Sequence, residues 1–507
     1  MTADIDIAPR ARLRGVGFGA RTAIFAWLAI ACLLALAVAM RCIVPANTDI
    51  GWLLTVGERV LGGERLYRDV IETNPPIAVW TYIPGLLLGR MLNIRPEIVT
   101  DALVFLGAAM SLGATSLILR RSHALLSVRG WPLAILACAA LTVLPMQQFG
   151  QREHIAVIVL LPMLAVLAGR AVEDTPPLWA VVVAGLGAGL TLAFKPHFAI
   201  ALAFGLLALA VRARSLRVLF VPENFIAAGV VAVYVALILV VYPEFFTFIG
   251  PLARDVYIPV GQSFFSMATK SAVPIWGALV LSAYCFNRER PLDTRVLFLL
   301  ATSAGFAAAF FLQRKGWPYH SYPMIVLAML AAGVSLAKTP GENEKNHVAA
   351  RGAAAIGFGV VFACAMVWFN TGFDAALLRE RVARLDPHPK ILALTAEPAV
   401  GHPLVRTLGG IWVSRQQALW VEGYRDFMKM TGILGPNNEP AVNAHAARER
   451  EFLIDDIRKT PPTVVLVDNL TGQWGSWLAA HPEVSALLKD YSVADSVNHI
   501  DILTPSR

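Results

Sequence analysis

Four short stretches of this chain carry residues able to do acid–base or anion chemistry, and each sits beside an apolar run. The first is Asn47–Pro76, which directly follows the first long apolar run and holds Asp49, Glu58, Glu64, Asp69 and Glu72 before Pro75 and Pro76. The second is Gln151-Arg152-Glu153-His154, three ionisable residues in a row at the mouth of another apolar run. Lys195-Pro196-His197 interrupts what would otherwise be one long apolar stretch, and Arg314, Lys315, Trp317, Tyr319 and His320 form the fourth group. A carboxylate at a partly desolvated membrane edge suits a general base, because burial raises its proton affinity. A guanidinium such as that of Arg152 matches two oxygens of a phosphate or carboxylate.

Each group also has a plain structural reading. Asp49 can cap the helix that follows it. Residues 51–61 read as an interfacial amphipathic helix whose Trp52, Leu53, Val56, Val60 and Leu61 face lipid. Asp69 and Glu72 can be surface residues of the loop. Arg152, Glu153 and His154, like Lys195 and His197, can be snorkelling groups at a span end. Trp317 and Tyr319 fit an aromatic belt, so that Arg314, Lys315 and His320 are the members of that group that suggest a ligand.

The elements that must position these residues are membrane spans. Hydrophobic residues make up 57% of the 507 positions and charged residues 15%, with mean hydropathy +0.60. A soluble chain carries about a quarter charged residues. Apolar runs of spanning length fall at 22–40, 98–119, 131–146, 155–169, 178–194, 197–211, 224–242, 272–287, 296–312, 321–337 and 352–369. The run 77–92 is short and contains Pro84 and Arg90. If it crossed, the basic loop 120–130 would face the same side as Asp49. If it lies in the interface, that loop, the arginines at 212, 214 and 217, and those at 288, 290 and 295 share the inner side with Arg10, Arg12, Arg14 and Arg21. The chain is therefore read with eleven transmembrane helices, a cytoplasmic N-terminus and juxtamembrane helices within the outer loop 41–97. The first span is read as an uncleaved anchor, being longer than a typical signal core. All four chemical groups then fall outside, together with the loop 243–271.

After the last span the composition changes. Residues 371–507 hold strand-like runs at 390–395, 464–468 and 499–504 and a helical pattern at 446–459, a small α/β extracytoplasmic domain attached to the 1–370 membrane module. The five cysteines are scattered and form no C-x-x-C pair, which suggests neither zinc nor disulfides. The net charge of +8 is not gathered into a basic patch with interleaved aromatics, which argues against nucleic acid as a partner. Gly185 and Gly189 form a small-xxx-small pair suited to helix packing. The Asp4-Ile5-Asp6 triplet sits in a short tail with no nucleotide-binding domain attached. The polar loop 338–347 reads as flexible.

An acidic residue just after the first span, an amphipathic helix with a Gly-Gly break, then Tyr67-Arg68-Asp69 and a Pro-Pro pair together resemble the GT-C superfamily. These are membrane glycosyltransferases that use polyprenyl-phosphate sugars. Protein O-mannosyltransferases and the lipid A aminoarabinose transferase are among them. The resemblance runs over residues 20–200. Ile50 stands where many relatives have Glu, and Asn74 where many have Lys before the Pro-Pro pair.

It implies an all-α polytopic fold and transfer of a sugar from a polyprenyl-phosphate donor to a glycan, lipid or protein acceptor at the plasma (inner) membrane. It also implies roles for particular residues. Asp49 matches the first acidic motif, as the base. Glu153 stands at the second, with Arg152 and His154 beside it, orienting donor or acceptor. Asp69 and Glu72 line the first loop. Lys195 is the favoured contact of the donor phosphate, with His197, Lys315 and His320 as further substrate contacts. Some relatives hold a divalent cation, for which Asp49 and Glu153 are conceivable ligands; the three outer histidines show no close ligand spacing. Two other functions compete. A transporter or flippase for a lipid-linked precursor would show mid-span charge and repeated halves, which this sequence lacks. A polysaccharide polymerase would carry its large outer loop between late spans, whereas the largest outer piece here is terminal.

Overall fold

The computed structural model describes residues 20–122, 130–287, 292–337 and 348–506. The Asp4-Ile5-Asp6 triplet, Arg10, Arg12, Arg14, Arg288, Arg290, the loop 338–347 and most of the basic loop 120–130 lie outside these.

Each of the eleven expected spans is a helix: α1 (Ala20–Ile43), α5 (Pro96–Arg120), α6 (Gly130–Thr142), α7 (Arg152–Arg170), α8 (Leu178–Phe194), α9 (Ala199–Ala213), α10 (Pro222–Val241), α11 (Ala272–Phe286), α12 (Thr294–Gln313), α13 (Tyr322–Ala337) and α14 (Val348–Phe369). Seven of the helices are long and apolar enough to cross a membrane unaided, and the others are shorter apolar helices. Helices α7 and α13 are buried almost throughout and form the axis of the bundle. The glycine pair does what its spacing suggests. A Cβ on Gly185 would stand 2.6 Å from Ile226 Cβ, and one on Gly189 2.6 Å from Val230 Cβ, so α8 and α10 pack backbone to backbone.

The run 77–92 is broken into α3 (Ile77–Trp80) and α4 (Ile83–Leu92). Together they form one of the shorter apolar helical stretches, as α6, α8 and α11 do, and its place in the interface stays a proposal drawn from the charge distribution. The expected outer segments share one end of the bundle. Asn47 bonds Gln148 there, Lys195 bonds Gln313, and Gln148 reaches the carbonyl of Phe369. Arg170 with Glu223, and Arg212 with Thr294, mark the opposite end.

The C-terminal region is a five-stranded mixed sheet in the order β2-β1-β3-β5-β4: β1 (Lys390–Leu394), β2 (Ile411–Trp412), β3 (Val464–Asp468), β4 (Tyr491–Val497), β5 (Ile500–Pro505). β2, β1 and β3 run parallel; β5 is antiparallel to β3 and β4. β1 and β3 read as unbroken apolar runs because both faces are covered. Leu392, Leu394, Val465 and Val467 face α17 (Glu439–Lys459) and the Trp474–Trp477 corner. Ile391, Ala393, Val464 and Leu466 point the other way, onto the first outer loop of the membrane module.

That second face overturns one expectation. Helix α2 (Thr48–Leu61) does not lie against lipid: Trp52, Leu53 and Val56 are buried beneath the sheet, and Val60 and Leu61 pack at its margin. The amphipathic pattern is real, but its apolar face meets protein. Each such side chain contributes roughly 1.5–3 kcal/mol when fully buried, so the sheet domain and the loop 41–97 share one core. Polar contacts pin the same joint. Arg406 grips Glu58 through two bonds of 2.7 and 2.9 Å and Glu97 through a third of 2.6 Å, and Arg59 donates to the Ser414 carbonyl.

Candidate active site

The site forms where α2 and α7 begin. Asn47, not Asp49, caps α2: its Oδ1 accepts from the backbone N–H of Asp49 at 2.9 Å. Asp49 sits one residue inside the helix, where a carboxylate is favoured by the exposed N–H groups. Gln151 caps α7, and its amide donates both to Asn47 Oδ1 at 2.7 Å and to Asp49 Oδ2 at 3.1 Å. Arg152 Nη2 also donates to Asp49 Oδ2, at 3.1 Å. Both bonds to the Asp49 carboxylate fall on one oxygen. Asp49 Oδ1 accepts from no group among the described residues, and the side chain is 24% exposed. Asp49 is thus oriented through Oδ2 and open at Oδ1.

Beneath it lies a second, buried charge group. Glu153 takes a bond from the Lys195 ammonium on Oε1, with His320 Nε2 at 3.6 Å from the same atom. Glu153 Oε2, Arg152 Nε, His320 Nδ1 and His197 Nε2 are buried without a partner among the described residues. Lys195 also bonds Gln313 and lies 5.6 Å from the Tyr319 ring centre. Lys195 is therefore already neutralised by Glu153. Lys315 is not: its ammonium donates to the carbonyls of Tyr257 and Val260 and lies 3.8 Å from the Tyr257 ring centre. It meets no carboxylate among the described residues. Burial, with Arg314 adding repulsion, pulls its pKa down to about 8.

Asp49, Arg152, Glu153, Lys195 and His320 come together as the sequence suggested, with His197 alongside and Lys315 at the rim. Three expected contacts fall elsewhere or serve the fold. Asp69 is an exposed residue paired with Arg65, which holds its carboxyl well below the usual range. Glu72 is buried and saturated: Oε2 accepts from Trp52 Nε1 at 2.6 Å, and Oε1 from the Asn74 backbone and side-chain amides. Burial raises its proton affinity. His154 accepts from Gly150 N–H on Nδ1, so Nε2 carries the proton donated to the Leu141 carbonyl. Both ring nitrogens are used in folding the turn before α7.

Asp49 and Glu153 each face a cation, and among the described residues no three His, Cys, Asp or Glu side chains converge as metal ligands. Sequence reading missed the role of Gln151, although it stood in the motif. It also missed Glu397 and Tyr424, which the sheet domain brings over the site. Burial raises the Glu397 pKa, with the charges of Asp468 and Asp49 adding to the effect. No local pattern in the sequence places residue 397 near residue 49.

No protein-family model matches this chain, and no curated protein matches it in sequence. Its fold is similar to that of solved membrane proteins. The crystal structure of ArnT from Cupriavidus metallidurans bound to undecaprenyl phosphate is similar over 95% of this chain and 98% of its own, with a TM-score of 0.58 and 14% identity. The cryo-EM structure of the arabinofuranosyltransferase AftD from Mycobacteria aligns with 96% of this chain but 40% of its own, at a TM-score of 0.46 and 14% identity. At such identities the likeness is one of fold.

Proposed function

We propose that this protein is a glycosyltransferase that moves a sugar from a polyprenyl-phosphate donor to an acceptor at the outer face of a plasma membrane. The observation that carries the reading is Asp49: a carboxylate at the membrane edge, fixed through one oxygen and open at the other, beside cations able to receive a phosphate. The full-length likeness to a structure bound to undecaprenyl phosphate supports the donor class.

The acceptor hydroxyl attacks the anomeric carbon of the donor and loses its proton to Asp49 Oδ1. The bond from that carbon to the phosphate oxygen breaks, and the polyprenyl phosphate leaves with the electron pair. Its growing charge needs donors. The free Nε–H of Arg152 and the ammonium of Lys315 have that capacity, whereas Lys195 is held by Glu153. In this reading Glu153 is a positioning residue, setting Lys195 and the start of α7.

The test is Asp49→Asn. Asparagine can still accept from Gln151 and Arg152, and the α2 cap belongs to Asn47, so the fold is preserved. Loss of a general base lowers the rate about a hundred- to ten-thousand-fold. Purified membranes supplied with radiolabelled polyprenyl-phosphate sugars of several kinds identify which label moves. Transfer by the Asn variant, normalised to its amount in the membrane, then reads the role of Asp49. Near-normal transfer removes Asp49 as the base.

A further inference from the structure

One group of side chains at the joint between the sheet domain and the membrane module is not absorbed by the chemistry above. Tyr257 comes from the segment between α10 and α11, Trp317 from the turn before α13, and Trp420 and Tyr424 from α16 (Trp420–Met430) of the sheet domain. Ring centres stand 6.5 Å apart for Tyr257 and Trp317, 6.3 Å for Tyr257 and both Trp420 and Tyr424, and 5.6 Å for Trp420 and Tyr424. Lys315 lies against two of the faces, 3.8 Å from Tyr257 and 5.2 Å from Tyr424. Helix α16 is held in place from below. Both oxygens of the buried Glu449 accept backbone N–H groups at its start, from Val421 and Glu422.

The polar tips of these rings are the telling feature. Tyr and Trp at protein joints ordinarily bond through their O–H and N–H. Here the hydroxyls of Tyr257 and Tyr424 and the indole N–H groups of Trp317 and Trp420 bond no protein group among the described residues, and those of Tyr257, Tyr424 and Trp420 are not sealed from solvent. Trp317 is 36% exposed. Glu397 adds an acceptor: one oxygen takes the Ala399 N–H, and the other has no protein partner among the described residues. Flat apolar faces ringed by unused donors and one carboxylate match a sugar ring, which offers a C–H face to the aromatics and hydroxyls at its edge. Trp317 stands 5.7 Å from Tyr319, whose ring centre lies 5.6 Å from the Lys195 that bonds Glu153, and Gly423 abuts Ala396, so the rings and Glu397 border the charge cluster that holds the base.

We propose that this aromatic joint, with Glu397, is the subsite that binds a sugar ring of the acceptor and delivers its hydroxyl to Asp49. Half of the group comes from the sheet domain, which lies wholly outside the bundle. A ligand gripped there arrives from the aqueous side, while a lipid-borne donor arrives through the bilayer. The inference rests on the glycosyl-transfer reading and adds to it a carbohydrate acceptor.

The discriminating variants are Tyr424→Phe and Tyr257→Phe. Each keeps its ring, its packing and its contact with Lys315, and removes a hydroxyl that bonds nothing in the protein. If the joint is only cement between two parts of the molecule, neither variant changes anything. If it binds acceptor, KM for acceptor rises roughly tenfold, the change that about 1.4 kcal/mol of lost binding produces, while KM for donor is unmoved. Trp420→Ala, which also removes a stacking face, has a larger effect in the same direction. Donor-depleted host membranes serve as the acceptor probe, and the polyprenyl-phosphate sugar turned over by wild-type protein is the donor. An unchanged acceptor KM in both Phe variants overturns the proposal, and so does a rise in donor KM instead, which would assign the rings to the donor sugar. Absence of transfer by wild-type protein is a separate result that sinks the glycosyltransferase reading itself.

Discussion

A buried ammonium with no carboxylate beside it is an unfavourable arrangement, and Lys315 holds it against two carbonyls and two aromatic faces. Two consequences follow from a pKa of about 8 against the ordinary 10.5. Between those values the unfolded chain binds a proton that the folded protein does not, so stability rises with pH through this window. Below about pH 8 both states are charged, and the full cost of burial is present. Lys315→Met therefore raises the melting temperature at pH 7 and flattens its dependence on pH between 8 and 10.5, measured in detergent by thermal scanning. Donor binding runs the other way. If this ammonium receives the phosphate, donor KM rises as pH passes 8, and in Lys315→Met it is high at every pH. A donor KM that is flat to pH 10 in wild-type protein would return the phosphate contact to Arg152. The sequence singled out Lys195 for this task on a family resemblance, although both lysines end apolar runs. Which of them has a carboxylate neighbour is a fact of packing between α7 and α8, outside the reach of local pattern.

At the scale of elements, helix α2 carries the clearest contrast between what was and was not legible. Its C-terminal limit and its apolar face could be read from residues 51–61, but its start could not: the helix begins at Thr48, takes in Asp49 and is capped by Asn47. Its surroundings could not, because an apolar stripe looks the same whether it meets lipid or a sheet 340 residues further along. The strands β1, β3 and β5 were legible from their apolar runs. β2 is two residues long and β4 is largely exposed, so neither leaves a pattern. Arg406 joins α2 and α5 to the sheet domain and makes the joint testable. Arg406→Ala leaves Glu58 without this partner and Glu97 with only the exposed Arg95, a loss of about 2 kcal/mol for charged hydrogen bonds. Limited proteolysis of the segment 370–375 then accelerates, because the sheet domain lifts more often. Arg406→Lys rescues only in part, since an ammonium cannot reproduce the two-pronged bond to Glu58. The same substitution at the exposed Arg379 has no effect. Equal cleavage rates in all three would mean that the shared apolar core alone holds the domain.

For the whole molecule, sidedness follows from parity. In the proposed topology eleven passages connect the end that bears Asp49, Lys195, Lys315 and the sheet with the end that bears Ser122, Arg170 and Arg212. The broken helix pair α3–α4 makes the count odd, and a continuous helix there would have made it even and carried the sheet to the opposite side. For absolute orientation we propose that the arginines, which gather at the second end, place it in the cytoplasm. The arrangement matters for chemistry, because it decides which leaflet presents the donor phosphate and which compartment supplies the acceptor. A cysteine at Gln473, in a background lacking Cys32, Cys42, Cys138, Cys285 and Cys364, reacts with a membrane-impermeant maleimide in intact cells. One at Ser122 reacts only after the membrane is permeabilised. Labelling of both sites in intact cells would break the parity argument and require another crossing between them. Labelling of 122 alone would keep the eleven passages but turn the molecule over, placing Asp49, the sheet and the aromatic joint in the cytoplasm, where the acceptor would have to be sought instead.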